Sequence, residues 1–204
     1  MGRKGILFVV SAPSGAGKTT LCQQIVAAVP GLKHSVSYTT RCPRPGERHG
    51  REYFFVDEPL FREMVSRGEF AEWATVYGHL YGTPKRMLTE TMDGGIDVLM
   101  DVDTQGAMQI KQRFEEAIYI YILPPSLQAL RSRLLQRAGD SPEEIERRLK
   151  QAREEVWSYQ HYDYVIRNDD VKQALKELEA IILTERVRTK RLDPAWIEAQ
   201  FRAD

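Results

Sequence analysis

Residues 5–20, GILFVVSAPSGAGKTT, decide the fold of this chain. The first seven residues form an almost unbroken apolar run, which predicts a strand that is buried on both faces. A glycine-rich turn follows, and residues 18–28 after it have the spacing of an amphipathic helix. A glycine-rich turn between a buried strand and a helix is typical of a phosphate loop, whose backbone N–H groups surround the phosphates of a nucleotide.

The loop predicts an ATP site at the start of the helix. Lys18 is expected to reach the β- and γ-phosphate oxygens, and the Thr19 hydroxyl is expected to bind Mg²⁺. Where the general pattern has glycine, this chain has Ala12, which carries the smallest available side chain. The alternative is a glycine-rich turn with a solvated lysine. The predicted ATP-binding residues of the loop are Ala12, Pro13, Ser14, Gly15, Ala16, Gly17, Lys18, Thr19 and Thr20.

Composition argues against several functional classes. The chain has 204 residues, enough for one compact domain with a sizeable core, and 29 basic residues balance 29 acidic ones. A net charge of zero argues against a general nucleic-acid or anionic-membrane binder, because the chain has no overall positive charge that would attract a polyanion. The apolar run at residues 6–10 is far too short to span a membrane. Cys22 and Cys42 lack metal-like spacing and are too few for a disulfide framework, so we expect a reducing, cytoplasmic location.

Apolar runs alternate with amphipathic stretches through the rest of the chain, as in α/β folds with a mainly parallel sheet. Buried strands are predicted at residues 96–101, 117–123 and 162–167, and helices at residues 105–114, 127–137, 142–158 and 172–190. Residues 37–85 and 126–153 break this alternation, and we interpret both stretches as insertions. The core that they interrupt would consist of residues 1–36, 86–125 and 154–204, within one compact domain.

The first insertion resembles the GMP-binding segment of guanylate kinases. The resemblance rests on SYTTRCPRPGE at residues 37–47 and GREYFF at residues 50–55. It continues through GEFAEWA (68–74), YGT (81–83), DVDTQG (101–106), LPPS (123–126) and VIRNDD (165–170), and it covers about residues 5–188. It implies a P-loop NTPase-type α/β core with a central, mostly parallel sheet flanked by helices, a GMP-binding segment at residues 37–85 and a helical lid at residues 126–153.

Several residues of this segment suit the phosphate of a nucleoside monophosphate. Arg41 and Arg44 offer paired N–H donors to a dianionic phosphate, and Tyr53 and Tyr81 offer hydroxyl donors. A solvated basic loop is the alternative for the arginines, and packing in the core is the alternative for Tyr53. Because a phosphate loop indicates a nucleotide but not a reaction, the acceptor must be inferred from this segment.

The same segment supplies groups that can distinguish guanine from adenine. A carboxylate at Glu72 can accept from guanine N1–H and N2–H₂, and a hydroxyl at Ser37 or Thr83 can donate to O6. Adenine presents the opposite pattern and would leave a buried carboxylate unpaired. The resemblance implies these roles and also assigns Asp101 and Asp103 to the GMP side. An exposed carboxylate on a strand edge is the alternative for Glu72.

The metal and the transferring phosphoryl group are assigned to residues farther along the chain. Asp101 ends a predicted buried strand, where an acid can order Mg²⁺ through water or hold the hydroxyl of the phosphate loop. The alternative is that Asp101 caps the helix that begins near Thr104. The resemblance implies that arginines of the lid close over the phosphates and that two residues near the C-terminal end of the sheet border the adenine site. The lid arginines are Arg133, Arg137 and Arg148, which are expected to act together with the catalytic Lys18 and Arg41. The two residues that border the adenine site are Asn168 and Asp169.

Two features of the lid leave its arginines open to other interpretations. Glu144 precedes Arg148 by four residues, so pairing within one helix is an alternative role for Arg148. The family usually has glycine directly after the position of Arg137, where this chain has Ala138. The role of Arg137 therefore depends on the geometry of the lid hinge.

The predicted function is Mg²⁺-dependent transfer of the γ-phosphoryl group of ATP to GMP, and also to dGMP, in purine nucleotide metabolism. The expected partners are small-molecule nucleotides, with no nucleic acid and no membrane, and the sequence is compatible with an oligomer but does not determine the oligomeric state. One alternative is a P-loop phosphotransferase for another monophosphate or a sugar phosphate, from which Glu72 with Ser37 and Thr83 would distinguish the chain. Another is a non-catalytic guanylate-kinase-like binding module, in which the phosphate loop has typically degenerated, whereas Lys18 and Thr19 are present here.

Overall fold

A computed structural model of the protein describes residues 3–76, 78–135, 141–192 and 194–202. The strands in these ranges are β1 (Leu7–Ser11), β2 (Leu32–His34), β3 (Ser37–Thr39), β4 (Tyr53–Phe55), β5 (Phe70–Val76), β6 (His79–Pro84), β7 (Asp97–Asp101), β8 (Ile118–Leu123) and β9 (Tyr164–Arg167). The helices are α1 (Lys18–Ala28), α2 (Glu58–Ser66), α3 (Lys85–Asp93), α4 (Thr104–Lys111), α5 (Leu127–Leu135), α6 (Pro142–Glu155), α7 (Val171–Arg186) and α8 (Pro194–Phe201), with short 3₁₀ helices at Val156–His161 and Thr189–Arg191. None of the helices in these ranges has both the length and the apolar character that crossing a membrane requires.

The larger sheet is parallel throughout, with the strand order β2–β7–β1–β8–β9. Successive side chains of a strand point to opposite faces, so the buried strand β1 contributes to two cores. Phe8 and Val10 pack in the core that includes α1 and α7. Leu7 and Val9 pack in the core that includes α3 and α4. The predicted α/β fold with a central parallel sheet flanked by helices is therefore confirmed.

The predicted core elements are present, with ends that differ by a few residues. The helix predicted at residues 142–158 ends at Glu155 and continues as the 3₁₀ helix Val156–His161. The helix predicted at residues 172–190 is shorter, because α7 ends at Arg186. The helix predicted at residues 127–137 is described only as far as Leu135.

The sequence-based predictions omitted β2, β3, β6, α2, α3 and α8. β2 has three residues, of which only Leu32 is buried, so its pattern is too short to identify. α2 has a recognisable start, because the Asp57 side chain accepts a hydrogen bond from the N–H of Leu60, at 3.0 Å, just before an amphipathic stretch. α3 has no such cap, and its buried residues Leu88 and Met92 mark only one face.

The smaller sheet is formed by residues 37–84 and has the order β4–β3–β6–β5. β3 pairs with β4 in parallel and with β6 antiparallel. α2 covers this sheet through an apolar cluster that includes Phe61, Met64, Phe70 and Leu80. The edge strand β5 is joined to α4 of the larger core, because Gln109 both accepts from the Trp73 N–H (3.1 Å) and donates to the Trp73 carbonyl (2.8 Å). The smaller sheet is thus fixed to the core along β5.

α5 and α6 pack against each other through an apolar cluster of their own, which includes Leu130, Leu134, Ile145 and Leu149. The predicted start of α6 is confirmed, because the Ser141 hydroxyl accepts a hydrogen bond from the Glu144 N–H at 3.3 Å and Pro142 occupies the first turn. The Tyr121 hydroxyl donates to the Glu155 carbonyl (2.6 Å), which attaches the end of α6 to the central sheet.

Asp97, at the start of β7, connects both ends of the chain to the sheet. Its fully buried carboxylate accepts from Arg3 Nη1 and Nη2 (2.7 and 2.9 Å), from Arg186 Nε (2.7 Å) and from the Ile6 N–H (2.8 Å). Burial alone would raise the pKa of Asp97, but the arginines and the N–H hold it below its usual value. These contacts therefore stabilise the fold above about pH 4 and are lost as Asp97 becomes protonated at lower pH.

We expect Asp97→Asn to lower the free energy of unfolding by about 3 kcal/mol, because it leaves two arginine side chains without their buried counter-charge. Asp93→Asn is the matched control. Asp93 pairs with Lys4 at 2.8 Å, but both side chains are more than half exposed, so the loss should be below about 1 kcal/mol. Urea unfolding followed by circular dichroism measures both values, and equal losses would contradict the role given to Asp97.

Candidate functional site

The phosphate loop lies between β1 and α1, as predicted, and its glycines have conformations that other residues rarely adopt. Gly15 and Gly17 have φ angles of 89° and 95°, and Gly17 directly precedes the first residue of α1. A side chain at Gly17 would also begin 2.5 Å from the Nδ2 atom of Asn168. The loop therefore needs glycine at this position for its backbone angle and for the close approach of Asn168.

Lys18 lies in the cleft beside the end of β7. β1 and β7 are adjacent and parallel, with Val10 level with Asp101, so the carboxyl ends of both strands meet at the loop. Lys18 Nζ lies 2.6 Å from an Asp101 oxygen and donates to the carbonyl of Val102. Burial would lower the pKa of Lys18, but Asp101 more than offsets this and raises it, so the ammonium stays charged.

Asp103 caps α4, so the alternative assignment of that role to Asp101 is wrong. The Asp103 carboxylate accepts a hydrogen bond from the Gly106 N–H at 2.7 Å, in the normal arrangement at a helix N-terminus. Asp101 is instead paired with Lys18. The two acids of the DVD sequence thus have different partners. Both lie at or just after the end of the same strand and only two residues apart, so the sequence did not show which of them caps α4.

A cleft of about 580 Å³ surrounds the loop, and we call it the phosphate-loop cleft. Its volume lies in the range of small-molecule sites. Residues 12–20 line it on one side, and residues of β5, α4, α5 and α6 line the others. The lining residues outside the loop are Thr75, Val76, Asp103, Gln105, Arg133, Arg147, Gln151 and Glu155. Most of these were missed from the sequence, because distant segments bring them together.

Arg133 of α5 is in the cleft, where its guanidinium donates to two backbone carbonyls. Nη1 donates to Ala16 (3.2 Å) and Nη2 donates to Asn168 (2.8 Å). The buried Asn168 side chain in turn donates to the Ala16 carbonyl at 2.8 Å. Asn168 therefore supports the loop from beneath, whereas Asp169 is at the surface and pairs with Arg167 at 2.6 Å.

The other predicted lid arginines differ in position. Arg148 is mostly buried and contacts Glu144, with Nη2 3.1 Å from Oε1, which matches the alternative of pairing within the helix. Its neighbour Arg147 lines the cleft, although the sequence did not single it out. Arg137 and Ala138 lie outside the described residues. In the part of the chain that is described, α5 and α6 thus present Arg133 and Arg147 to the cleft.

A hydrogen-bonded chain of three side chains lies between the smaller sheet and α4. Glu72 and Thr83 are opposite each other on β5 and β6, and Ser37 comes from the neighbouring β3. Thr83 Oγ1 donates to Glu72 Oε1 (2.6 Å) and lies 2.9 Å from Ser37 Oγ. When Glu72 is ionised it can only accept, so the Thr83 hydrogen points to Glu72 and the Ser37 hydrogen points to Thr83.

Glu72 is buried, so the alternative of an exposed strand-edge carboxylate is wrong. Burial raises the pKa of Glu72 to about 7; the Thr83 hydroxyl lowers it, and the nearby Asp103 raises it further. A buried carboxylate with unused acceptor capacity favours a ligand that brings N–H donors. The sequence identified the residue, but burial could be read only from the structure.

Arg41 is held by a second group of side chains on the smaller sheet. Its Nη2 donates to both Glu47 oxygens (2.8 and 2.9 Å), and its Nε donates to the Tyr81 hydroxyl (3.2 Å). The guanidinium carbon lies 5.6 Å from the centre of the Tyr53 ring. Arg41 is therefore not part of a solvated basic loop, in contrast to Arg44, whose side chain is exposed.

Glu47 is a residue whose role the sequence did not reveal. Besides binding Arg41, it accepts from the backbone N–H of Arg44 at 2.7 Å. Burial would raise the pKa of Glu47, but the hydrogen bond from Arg41 dominates and holds it below its usual value. The loop that carries both arginines is thus closed around one carboxylate.

Groups that fit Mg²⁺ are present at the cleft. No cluster of three or more His, Cys, Asp or Glu side chains that could hold a metal occurs among the described residues. Mg²⁺ needs no such cluster, because it usually keeps several waters and is held by one or two protein oxygens together with phosphates. Thr19 is exposed and lines the cleft, and Asp101 is paired with Lys18, which also lines the cleft, so oxygen ligands for a site of this open kind are available.

Known proteins resemble the chain over nearly its whole length. A family model described as "Guanylate kinase" matches residues 4–185. A guanylate kinase of Geobacter metallireducens is 52% identical over 192 residues, which cover 94% of this chain and 95% of the relative. One of Geobacter sulfurreducens is 51% identical with the same coverage. The crystal structure of guanylate kinase from Anaplasma phagocytophilum matches with a TM-score of 0.82 and 32% identity, covering 100% of this chain and 98% of that chain.

The family match includes both the phosphate loop and the segment that carries Arg41, Glu72 and Thr83. Identity of about one half over almost the whole of each chain excludes a likeness limited to a common nucleotide-binding motif. The resemblance noted in the sequence is confirmed, and the chain belongs to the guanylate kinase family of nucleoside monophosphate kinases.

Proposed function

We propose that this kinase transfers the γ-phosphoryl group of ATP to GMP in a Mg²⁺-dependent reaction that yields ADP and GDP. The observation that carries the proposal is the buried Glu72 carboxylate, which is hydrogen-bonded to Thr83 and lies near the phosphate-loop cleft. The names of the relatives support the same acceptor. We include dGMP, because the assigned contacts involve the base and the phosphate of the acceptor.

Guanine recognition follows from the direction of the hydrogen bonds. The ionised Glu72 carboxylate accepts from N1–H and N2–H₂, which adenine cannot supply in that arrangement. The Thr83 hydrogen is committed to Glu72, so Thr83 holds the carboxylate in place. The Ser37 hydrogen can turn from Thr83 to guanine O6, because Thr83 does not need it to bind Glu72. We therefore assign O6 to Ser37, with Asp101 and Asp103 nearby on the acceptor side.

Phosphate binding by the acceptor site requires Arg41 to exchange partners. Its Nη2 group donates to Glu47, and Tyr81 accepts from its Nε atom. A phosphate dianion offers stronger acceptors than one carboxylate and would draw Arg41 and the exposed Arg44 towards it. The Tyr53 and Tyr81 hydroxyls would add neutral donors. The segment at residues 37–85 is accordingly proposed to bind GMP.

The donor site is proposed at the phosphate-loop cleft, with residues 12–20 around the phosphates and Asn168 and Asp169 towards the base. Catalysis is mainly electrostatic in phosphoryl transfer, because charge develops on oxygens and no covalent nucleophile is needed. Lys18 and Arg133 would stabilise this charge, and so would Arg137 and Arg148 once the lid, residues 126–153, closes. Mg²⁺, held by Thr19 and through water by Asp101, would supply further neutralisation of the phosphates.

We place the reaction in the cytoplasm, since the thiols of Cys22 and Cys42 are unpaired and a reducing compartment keeps them so.

A binding module without catalysis is the remaining alternative from another class. Titration calorimetry with ATP and Mg²⁺ tests it, because such a module should give no nucleotide heat.

The direct test of the proposal is a coupled assay of ADP release with ATP, Mg²⁺ and a panel of acceptors. We expect turnover with GMP and dGMP, and kcat/KM values for AMP, CMP and dTMP that are lower by at least about 10³-fold, since none of those bases presents two adjacent N–H donors to Glu72. Comparable or better turnover of any base other than guanine would refute the guanine assignment.

Glu72→Gln should raise the KM for GMP by roughly 100-fold and reduce the preference for GMP over AMP, because the amide presents a donor where guanine needs an acceptor. The KM for ATP should stay within about twofold of wild type. Glu69→Gln is the matched control, since Glu69 is an exposed glutamate just before the same strand. A Glu72→Gln variant that still rejects AMP and binds GMP normally would show that another group reads the base.

GMP affinity should also weaken as the pH falls below about 7. Burial raises the pKa of Glu72 to about 7, so below that pH the carboxyl becomes protonated and can no longer accept two donors. The phosphate of GMP gains a proton near pH 6, which weakens binding independently. Calorimetric titration of wild type and Glu72→Gln between about pH 5 and 8, which is roughly one unit either side of both pKa values, separates the two effects. Superimposable pH profiles for the two proteins would rule out titration of Glu72.

A further inference from the structure

Gly106, in the first turn of α4, lies against the carboxylate of Glu72. A Cβ atom built on Gly106 would be 2.9 Å from Glu72 Oε2 and 3.3 Å from Asp103 Oδ1. Real Cβ contacts essentially never fall below 3.0 Å, so a side chain here would require Glu72 to move. The carboxylate thus occupies the space that the missing side chain leaves.

The backbone itself gives no reason for glycine at this position. Gly106 lies within the helix Thr104–Lys111 and is not among the described glycines with positive φ. Inside a helix, alanine is more favourable than glycine, because it loses less conformational freedom on folding. What distinguishes Gly106 is therefore the room that it gives to a side chain from another segment.

The two oxygens of Glu72 have different neighbours. Thr83 donates to Oε1 at 2.6 Å, and Oε2 is directed to the turn that contains Gly106. The helix N-terminus favours a negative charge in this position. Since the residue is only 5% exposed, the carboxylate cannot turn into solvent if its place beside Gly106 is filled.

We propose that Gly106 is a positioning residue for guanine specificity: its lack of a side chain sets the orientation in which Glu72 presents its oxygens to the base. The proposal rests on the proposed function, in which Glu72 reads guanine. An added methyl group would push Oε2 away and rotate the carboxylate, which changes the direction of both acceptors. Gly106 would act mainly through Glu72, which is the nearer neighbour of the added atom, and would affect the ATP site only slightly through Asp103, whose Oδ1 atom is 3.3 Å away.

The test is Gly106→Ala, with steady-state kinetics for both substrates and thermal unfolding. We expect the KM for GMP to rise on the order of 10- to 100-fold, because small displacements of a positioning group have effects of this size. The KM for ATP should stay within about twofold, and the melting temperature should be unchanged or higher, since alanine favours the helix. Unchanged KM for GMP would overturn the proposal.

Gly94→Ala is the matched control, because it adds the same methyl group next to α3 without a close contact. Gly94 has a φ of −74°, and the nearest atom to its added Cβ, the Thr91 carbonyl oxygen, is 3.4 Å away. We expect Gly94→Ala to leave both KM values unchanged. A lower melting temperature in Gly106→Ala, with ATP and GMP affected in parallel, would show a general packing role and overturn the proposal.

A double variant shows whether the effect passes through Glu72. In the Glu72→Gln background, Gly106→Ala should change the KM for GMP by less than about threefold, because coupled residues are not additive. A full effect in that background would overturn the proposal. Turnover of GMP by the wild type tests the proposed function separately. If the wild type does not phosphorylate GMP, both proposals fail; if it does and Gly106→Ala behaves like wild type, only this one fails.

Discussion

Backbone hydrogen bonds between β1 and β7 bring Val10 level with Asp101, and this register determines where the charged groups of the site lie. In adjacent parallel strands both carboxyl ends lie at the same edge of the sheet. Ligands bind at this edge in open α/β folds. The phosphate loop follows β1, and the sequence DVDTQG begins at the end of β7. Lys18 consequently meets Asp101, and Asp103 begins α4 beside the phosphate-loop cleft.

α4 connects the two halves of the proposed reaction. Asp103, which caps this helix, lines the cleft, and Gly106 in its first turn is the residue against which Glu72 is packed. Farther along the helix, Gln109 is hydrogen-bonded to the backbone of β5 at Trp73. β5, the strand that carries Glu72, is therefore fixed to α4, the helix that follows β7 beside the phosphate loop. If the proposed function holds, this helix sets the distance between Glu72 at the base of GMP and the phosphate-loop cleft.

The cations of the site form ion pairs within the protein, and an anionic ligand would have to exchange these partners. Lys18 is paired with Asp101 and Arg41 with Glu47, and the side chains of both cations are mostly buried. Glu72 differs, because its neighbours are a hydroxyl, a helix turn and the acid Asp103 rather than a cation. Its raised pKa expresses the cost of a buried negative charge without a counter-charge. Under the proposed function, a guanine that brings two N–H donors would offset this cost, and the same carboxyl group would make guanine binding depend on pH.

The sequence alone determined the buried strands, the phosphate loop, the start of α6 and the family, because each depends on local periodicity or on a contiguous motif. It also identified Ser37, Glu72 and Thr83 as candidates. Only the tertiary structure decided the surroundings of the site residues. It shows that Glu72 is buried and that Asp103 rather than Asp101 caps α4. It also shows that Arg147 lines the cleft and that Glu47 holds Arg41. These facts depend on residues that are distant in sequence or on the side of a strand or helix that faces a neighbour. Packing fixes such contacts, and no local pattern in the chain encodes them.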